Sequence, residues 1–139
     1  MKKCLVLLTA AIICLSFFAC GNEQVYDPNY IDLTSMSGTM VYSEVLNMMT
    51  VPEEYEGKTV KMHGLFSYAE GIDRYYYACI IEDATACCAQ GIEFELAENR
   101  IFPDEYPELG EEITVEGTFG TYYEDEYRYC TLSDAEILD

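Results

Sequence analysis

The sequence has few basic residues. Seven lysines and arginines stand against 26 aspartates and glutamates, which gives a formal net charge of −19 at pH 7. Proteins that bind nucleic acid draw most of their affinity from Lys and Arg side chains that neutralise phosphates. The composition therefore predicts that nucleic acid is not a partner and that cations or basic partners are favoured. A solvated acidic coat that keeps the protein soluble is the alternative interpretation.

The sequence also lacks the patterns that identify common catalytic sites. It has one histidine, His63, and no Ser-His-Asp order, P-loop, His-Glu-x-x-His segment or evident pair of acids can be assembled. The absence of Cys-x-x-Cys counts against a thiol oxidoreductase. The absence of an Asp-x-Asp-x-Asp-Gly loop counts against a calcium site. We therefore expect that the protein is not an enzyme and has no catalytic residues.

The first 19 residues have the form of an export signal. Two lysines follow Met1, and residues 4–18 are almost entirely apolar but too few to span a bilayer comfortably. Ala19 and Cys20 follow, and a small residue before a cysteine resembles the lipobox of bacterial lipoproteins. We expect residues 1–19 to be removed and Cys20 to carry a lipid, such as palmitate, that anchors the chain to the extracytoplasmic face of a bacterial membrane, in the cell envelope. An ordinary signal peptide or an uncleaved anchor is the alternative.

The rest of the chain suits one domain with one modest hydrophobic core. Residues 20–38 mix Gly, Asn, Asp, Pro, Ser and Thr with isolated apolar residues, which predicts a flexible tether. The predicted domain takes up residues 39–139 and begins with a short amphipathic helix over Thr39–Thr50. The apolar residues that recur there at helical spacing are Val41, Val45, Met48 and Met49.

The remainder of the domain is rich in Tyr, Val, Ile and Thr, with turn residues at short intervals. This composition is typical of a small all-β unit. The predicted strands are Lys58–Tyr68, Tyr75–Asp83, Gly91–Ala97, Glu112–Thr121 and Glu126–Leu138. Five short strands predict a mainly β fold, a small closed or partly open barrel of the OB type.

The first and fourth of these strands belong to an internal repeat. Residues 57–66 align without gaps on residues 110–119, and each copy has a glycine inside its strand, Gly64 and Gly117. A glycine within a strand lets the strand bend sharply. Sharp bends at these two positions fit the closure of a small barrel.

Two segments resemble a known family. Tyr55–Gly64 forms a Gly-Lys-Thr-Val type of strand, and Asp83–Phe94 contains the vicinal pair Cys87 and Cys88 in a Cys-Cys-Ala-Gln-Gly motif. In these segments the chain resembles uncharacterised OB-like lipoproteins and membrane-anchored extracytoplasmic domains of bacteria, over about Thr39–Leu138. A related vicinal motif occurs in domains that accompany bacterial permeases for metal or other small cargo. The resemblance therefore implies an OB-like fold and a transport-associated role.

Four of the seven cysteines lie in the predicted domain, and these four allow three interpretations. Four thiolates suit a closed tetrahedral site for zinc or another soft metal ion, with His63 as a less favoured ligand. In an exported chain cysteines also suit disulfides, and the repeat predicts equivalent places for Cys79 and Cys130, on strands that a closed barrel can make neighbours. Packing in the core is the third interpretation. The four residues are Cys79, Cys87, Cys88 and Cys130.

These features together give one functional expectation and one alternative. We expect a membrane-tethered, extracytoplasmic, non-catalytic binding module for a soft metal ion, with zinc as the single expected cofactor, or for a transport partner. The expected metal ligands are the four cysteines. The alternative is a disulfide-stabilised interaction domain that holds an envelope protein or another ligand through tyrosine-rich segments, Tyr75–Tyr77 and Tyr122–Tyr123.

Overall fold

The computed structural model describes residues 27–83, 85 and 88–138. These residues contain one α-helix and six strands. The prediction of a mainly β domain with a short N-terminal helix is confirmed, and the five predicted strands correspond to β2–β6. The elements are β1 (Tyr30–Asp32), α1 (Gly38–Thr50), β2 (Thr59–Glu70), β3 (Tyr75–Glu82), β4 (Ala89–Leu96), β5 (Glu112–Glu124) and β6 (Tyr127–Leu138).

Five of the strands form a ring. The hydrogen-bonded order is β2-β3-β4-β6-β5, and β5 pairs again with β2. All neighbours in the ring are antiparallel except β4 and β6, which are parallel. The short strand β1 pairs in parallel with the start of β2 and stands outside the ring. This order, closed upon itself, is the predicted OB-like barrel, with the edges of the sheet largely removed.

The strand β2 changes partner along its length. It pairs with β5 as far as Leu65 and with β3 from Leu65 onward. Gly64 stands at this change, where a Cβ atom would lie 2.3 Å from the backbone oxygen of Ile80. In β5, Gly117 lies at a shift in the register with β6. The two glycines of the repeat thus mark the bends that let long strands close a small ring.

The two copies of the internal repeat are related by a local two-fold symmetry in the structure. The Gly57 N–H donates to the Phe119 oxygen at 2.8 Å, and the equivalent Gly110 N–H donates to the Phe66 oxygen at 2.9 Å. Both glycines have positive φ, +76° and +84°, a conformation that side chains disfavour. The two copies therefore start their strands by the same turn and pair with each other in antiparallel register.

The hydrophobic core fills the interior of the ring. Alternate residues of each strand point inward, as the pleat of a strand requires. The main buried side chains of the ring are Val60, Met62, Phe66, Cys79, Ile92, Phe94, Val115, Phe119 and Leu132. The hydrophobic core therefore lies within the barrel, and polar side chains alternate toward the outside of the strands.

The helix α1 adds a second part to this core. It buries Val45 and Met48 completely and contacts β3 and β4. Its Tyr42 hydroxyl accepts a hydrogen bond from the Gln90 amide at 3.2 Å, which places the helix near the start of β4. No helix in the described part of the chain is long and apolar enough to cross a membrane.

Part of the segment assigned to the tether belongs to the folded unit. Residues 30–32 form β1, and the following residue, Leu33, is completely buried. The isolated apolar residues of this segment therefore serve as core residues, because pairing with β2 holds them against the barrel. The folded unit includes residues before the predicted start at residue 39, while residues 1–26, with Cys20, lie outside the described residues.

Candidate functional site

Cys79, one of the four predicted metal ligands, lies inside the barrel. It has no exposed surface, and burial raises the pKa of its thiol to about 12. Its sulfur would lie 3.0 Å from a Cβ atom built on Gly64, so the side chain fills the space at the bend of β2. A metal ligand must be a thiolate, which this environment disfavours. The position therefore fits the packing interpretation.

Cys130 is separated from Cys79 by a whole strand. Cys79 lies on β3 and Cys130 on β6, and β4 runs between them. Two strands separated by a third are about 10 Å apart, beyond the Cα separation of about 7 Å that a disulfide allows. The strands are therefore not the neighbours that a disulfide between these two cysteines needs, because the ring inserts β4 between them.

The predicted equivalence of the two cysteines is also wrong by two residues. The repeat equates Phe66 with Phe119, and these residues pair with Cys79 and Leu132 respectively. Leu132 is completely buried like Cys79, whereas Cys130 is partly exposed. Leu132, and not Cys130, therefore takes the inward position in the second copy that Cys79 has in the first.

The vicinal pair remains partly undescribed. Cys87 lies outside the described residues, and Cys88 is exposed, with its carbonyl accepting from the Asp83 N–H at 2.9 Å. Among residues 27–83, 85 and 88–138, no three His, Cys, Asp or Glu side chains come together as a metal site. A zinc site that includes Cys87 stays a prediction, and the lipid on Cys20 stays one as well.

His63, the less favoured ligand, lies on the outside of β2. It is exposed, and its Nδ1 atom is 3.0 Å from the Thr114 hydroxyl across the β2–β5 pair. None of the described cysteines forms a cluster with it. His63 is therefore best described as a hydrogen-bonded residue on the outer surface of β2.

The buried position of Cys79 predicts a difference in reactivity. With a pKa near 12 and no access, native Cys79 should react with iodoacetamide at pH 8 at least about a hundredfold more slowly than partly exposed Cys130. Peptide mapping by mass spectrometry, with a denatured sample as reference, measures both rates. Equal rates, or a Cys79 that becomes reactive when a chelator removes bound zinc, would contradict the packing interpretation and support the metal site.

A separate feature of the surface is an open groove beside β3, β4 and β5, which we call the tyrosine groove. Its volume is about 520 Å³. Residues from four strands (β3, β4, β5 and β6), the β2–β3 turn and the segment after β4 line it, so the barrel brings together distant parts of the chain. The principal lining residues are Arg74, Tyr76, Tyr77, Glu93, Arg100, Tyr106 and Tyr122.

Arg74 lies between two tyrosine rings in this groove. Its Cζ atom is 4.3 Å from the ring centroid of Tyr76 and 5.3 Å from that of Tyr122. Arg74 follows the turn of the β2–β3 hairpin, and the two rings come from β3 and β5. A guanidinium group near aromatic faces is attracted by their π electrons. The arrangement is a cation–π contact with two rings.

Carboxylates fix both of these rings. The Tyr122 hydroxyl donates to Glu93 at 2.5 Å, and the Tyr76 hydroxyl donates to Glu124 at 2.7 Å. Burial, followed by the hydrogen bond to Glu93, raises the pKa of Tyr122 well above its usual value. The Tyr122 phenol therefore stays neutral at physiological pH, and carboxylates of β4 and β5 set the orientation of the two rings.

The other side of the groove is an aromatic stack. Tyr77 stacks on Tyr106 with ring centroids 4.2 Å apart, and Tyr77 also stacks on Phe66 at 6.2 Å. Tyr106 belongs to the segment between β4 and β5, which folds over this end of the barrel. Burial raises the pKa of Tyr77 to about 12. The groove thus has a rigid wall, because its rings continue into the core.

The tyrosines of the groove were partly foreseen from the sequence. Tyr76, Tyr77 and Tyr122 fall in the two tyrosine-rich segments and line the groove. Tyr123 belongs to the second segment too, but it is 70% exposed and does not line the groove. Arg74 was missed, although it immediately precedes three tyrosines in a chain with few basic residues. Its role depends on the approach of β5, which no local signal indicates.

Comparisons with known proteins give one structural likeness. No family model matches the chain, and no curated protein matches it. Among solved structures, the chain is similar to a "putative nucleic acid-binding lipoprotein" from Klebsiella pneumoniae, with 18% sequence identity over 86% of this chain and 99% of that chain and a TM-score of 0.44.

The description of that protein contradicts the prediction that nucleic acid is not a partner. The prediction is wrong as an exclusion, because it used the net charge of the whole chain. Binding of single strands depends on local stacking surfaces and local basic groups. The tyrosine groove has both, with Arg74 beside two of its rings and Arg100 among its lining residues. A strongly acidic composition therefore does not exclude this class of ligand.

Proposed function

We propose that the protein is a membrane-tethered, non-catalytic binding module of the bacterial cell envelope, and that the tyrosine groove is its binding surface. The tether and the location rest on the lipobox-like sequence around Cys20. The observation that carries the binding role is the convergence of aromatic faces and charged groups in one open groove.

The place of the groove on the barrel supports this role. Proteins with OB folds bind oligonucleotides and oligosaccharides on the face of their second and third barrel strands, together with two flanking hairpin loops. In this chain those strands are β3 and β4, and the hairpins are β2–β3 and β5–β6. The groove includes Arg74 beside the first hairpin, Tyr76 on β3, Glu93 on β4 and Tyr122 on β5 near the second hairpin.

The composition of the groove also fits a binding site. Ligand sites have volumes of about 300–1,000 Å³ and combine aromatic walls with a few placed polar groups. The groove has this size, three carboxylates at Glu93, Glu95 and Glu98, and rings held by hydrogen bonds and stacking. The groove supports the alternative predicted from the sequence, an interaction domain that binds a ligand through its tyrosine-rich segments. This binding mode does not require a disulfide. Zinc at the vicinal cysteines is a separate hypothesis that this proposal does not require.

A small panel of probes tests the proposal. Full-length protein in detergent is titrated with three fluorescein-labelled probes: a tri-arginine peptide, a chitotetraose and a ten-residue oligothymidylate. We expect at least one of them to bind and to lose about tenfold or more of its affinity in Tyr122→Ala, since stacking on an aromatic ring contributes about 1–3 kcal/mol. Membrane fractionation of the wild type and Cys20→Ser tests the tether in the same preparations.

The matched control is Tyr123→Ala. Tyr123 is the next residue on the same strand but is 70% exposed and does not line the groove. Its replacement should leave the affinity of the same probe within about twofold of the wild type, because the groove stays intact. Equal losses in Tyr122→Ala and Tyr123→Ala, or no binding of any probe, would count against the groove as the binding surface.

A further inference from the structure

We infer that the tyrosine groove contains a cage for a guanidinium group, occupied in this structure by Arg74, and that an arginine side chain of a basic peptide or protein partner takes its place. The cage consists of Tyr76, Tyr122, Glu93 and Glu124. This inference rests on the proposed function and names the ligand class of the same groove.

The structure itself shows which chemical group the cage accepts. The guanidinium carbon of Arg74 lies 4.3 Å from the centroid of Tyr76 and 5.3 Å from that of Tyr122. Planar guanidinium groups stack on aromatic faces in this way, and recognition of cations by aromatic cages is an established use of the contact. An incoming arginine side chain has the same planar cation as the group now in place.

The two carboxylates make the rings better partners for a cation. Each accepts a hydrogen bond from the hydroxyl of one ring, Glu93 from Tyr122 and Glu124 from Tyr76. A phenol that donates to a carboxylate has a more electron-rich ring, which strengthens cation–π attraction. The carboxylates also add negative potential around the cation. All four cage residues lie on barrel strands, Tyr76 on β3, Glu93 on β4, and Tyr122 and Glu124 on β5, whereas Arg74 belongs to a turn.

Arg74 occupies the cage as an exposed residue without an ion pair to any described residue. It is an exposed residue at the end of a four-residue hairpin turn closed by the Gly71 N–H to the Arg74 oxygen, 2.8 Å. In the described part of the chain it forms no ion pair within 4.0 Å, in contrast to Arg128, which pairs with Glu53. Its contacts with the two tyrosines, the cation–π contacts and a side-chain hydrogen bond with Tyr76, therefore provide most of its attachment.

A basic partner fits the charge of the molecule. The chain has a formal net charge of −19, and such a field accelerates the approach of cationic partners. The internal arginine lowers the apparent affinity for any partner, because a partner binds the fraction of molecules in which the cage is open. Arg74 thus makes the wild-type site selective for partners that supply more than one contact.

Removing the internal arginine tests the inference. Full-length wild-type protein and Arg74→Ala are titrated in detergent with fluorescein-labelled tri-arginine, tri-lysine and oligothymidylate. If the cage is open in about one tenth of the molecules, Arg74→Ala should bind tri-arginine about tenfold more tightly than the wild type. Tri-lysine, which lacks the planar group, should gain less than about threefold.

The matched control is Lys58→Ala. This substitution also removes one positive charge and one cation–π contact, that of Lys58 with Tyr55, but it lies outside the groove. It should change the affinity for tri-arginine less than about twofold. The further substitution Tyr122→Leu in the Arg74→Ala protein should abolish the tenfold gain, and circular dichroism confirms that each variant is folded.

Two results would overturn the inference and leave the proposed function intact. One is an effect of net charge alone. It would be indicated by an equal gain in affinity for tri-arginine in Arg74→Ala and Lys58→Ala, or by an equal gain in the affinities of Arg74→Ala for tri-arginine and tri-lysine. The other is binding of oligothymidylate that falls when Arg74 is removed, which would assign the groove to an anionic strand. Failure of every probe to bind would instead contradict the proposed function.

Discussion

Replacing Phe66 by alanine is expected to lower the free energy of unfolding by about 3–5 kcal/mol, the range observed when a buried aromatic side chain is truncated. Phe66 is 1% exposed. Its ring lies 6.2 Å from the ring of Phe94 and 6.1 Å from that of Tyr106. The substitution removes apolar burial and leaves a cavity under the wall of the tyrosine groove.

Urea denaturation followed by circular dichroism measures this effect. The control is Tyr127→Ala, which also truncates an aromatic residue on a barrel strand but one that is 70% exposed, and it should stay within about 0.5 kcal/mol of the wild type. Because Phe66 supports Tyr77, binding of the groove probes should weaken in Phe66→Ala even under conditions where the protein is folded. A similar loss of stability in both variants would contradict the placement of Phe66 in the core.

The second large effect is expected for Gly64→Ala, at about 3 kcal/mol of lost stability. A Cβ atom at this position would lie 2.3 Å from the backbone oxygen of Ile80 and 2.9 Å from the Cδ1 atom of Ile81. Overpacking costs about 1–3 kcal/mol when side chains can adjust, and here the nearest obstacle is backbone. The strand β3 must move away from β2 at the point where the ring bends.

Gly38→Ala is the matched control for this prediction. Gly38 is the first residue of α1, and a Cβ atom there meets nothing within 4 Å. The same chemical change should therefore leave stability unchanged or raise it by about 0.5–1 kcal/mol, because alanine has the higher helix propensity. Thermal unfolding of both variants gives the comparison. A Gly64→Ala protein as stable as Gly38→Ala would show that the close approach at the bend is not required.

Both experiments bear on function as well as on stability. Gly64 lies at the point where β2 changes its partner from β5 to β3, and Phe66 pairs with β3, which supplies Tyr76 and Tyr77 to the groove. The rings of the groove are positioned by the closure of the barrel, since neighbouring strands supply their hydrogen-bond and stacking partners. Binding surfaces built on such strands are more exact than those on loops.

The cysteines illustrate where sequence reasoning fails. Cysteine suits a metal, a disulfide and a buried core position equally well, and composition does not choose among these roles. The barrel decides for Cys79, whose side chain points inward at the bend of β2. Its predicted counterpart Cys130 is two residues out of phase and one strand too far away for a disulfide with it.

The class of fold, the positions of α1 and of β2–β6 within a few residues, and the glycines of the bends were all predictable from the sequence. These features depend on local properties: alternation of apolar residues, turn residues and a gapless repeat. The tyrosine-rich segments were also visible in the sequence as candidate binding elements.

Which of these residues contact each other depends on the tertiary structure. Arg74 and Tyr122 are 48 positions apart in the sequence, yet the ring of strands brings the guanidinium to 5.3 Å from the aromatic ring. The same ring of strands places β4 between Cys79 and Cys130 and makes core residues of part of the predicted tether. Strand neighbours in a closed barrel follow from non-local pairing, and local sequence patterns do not encode that pairing.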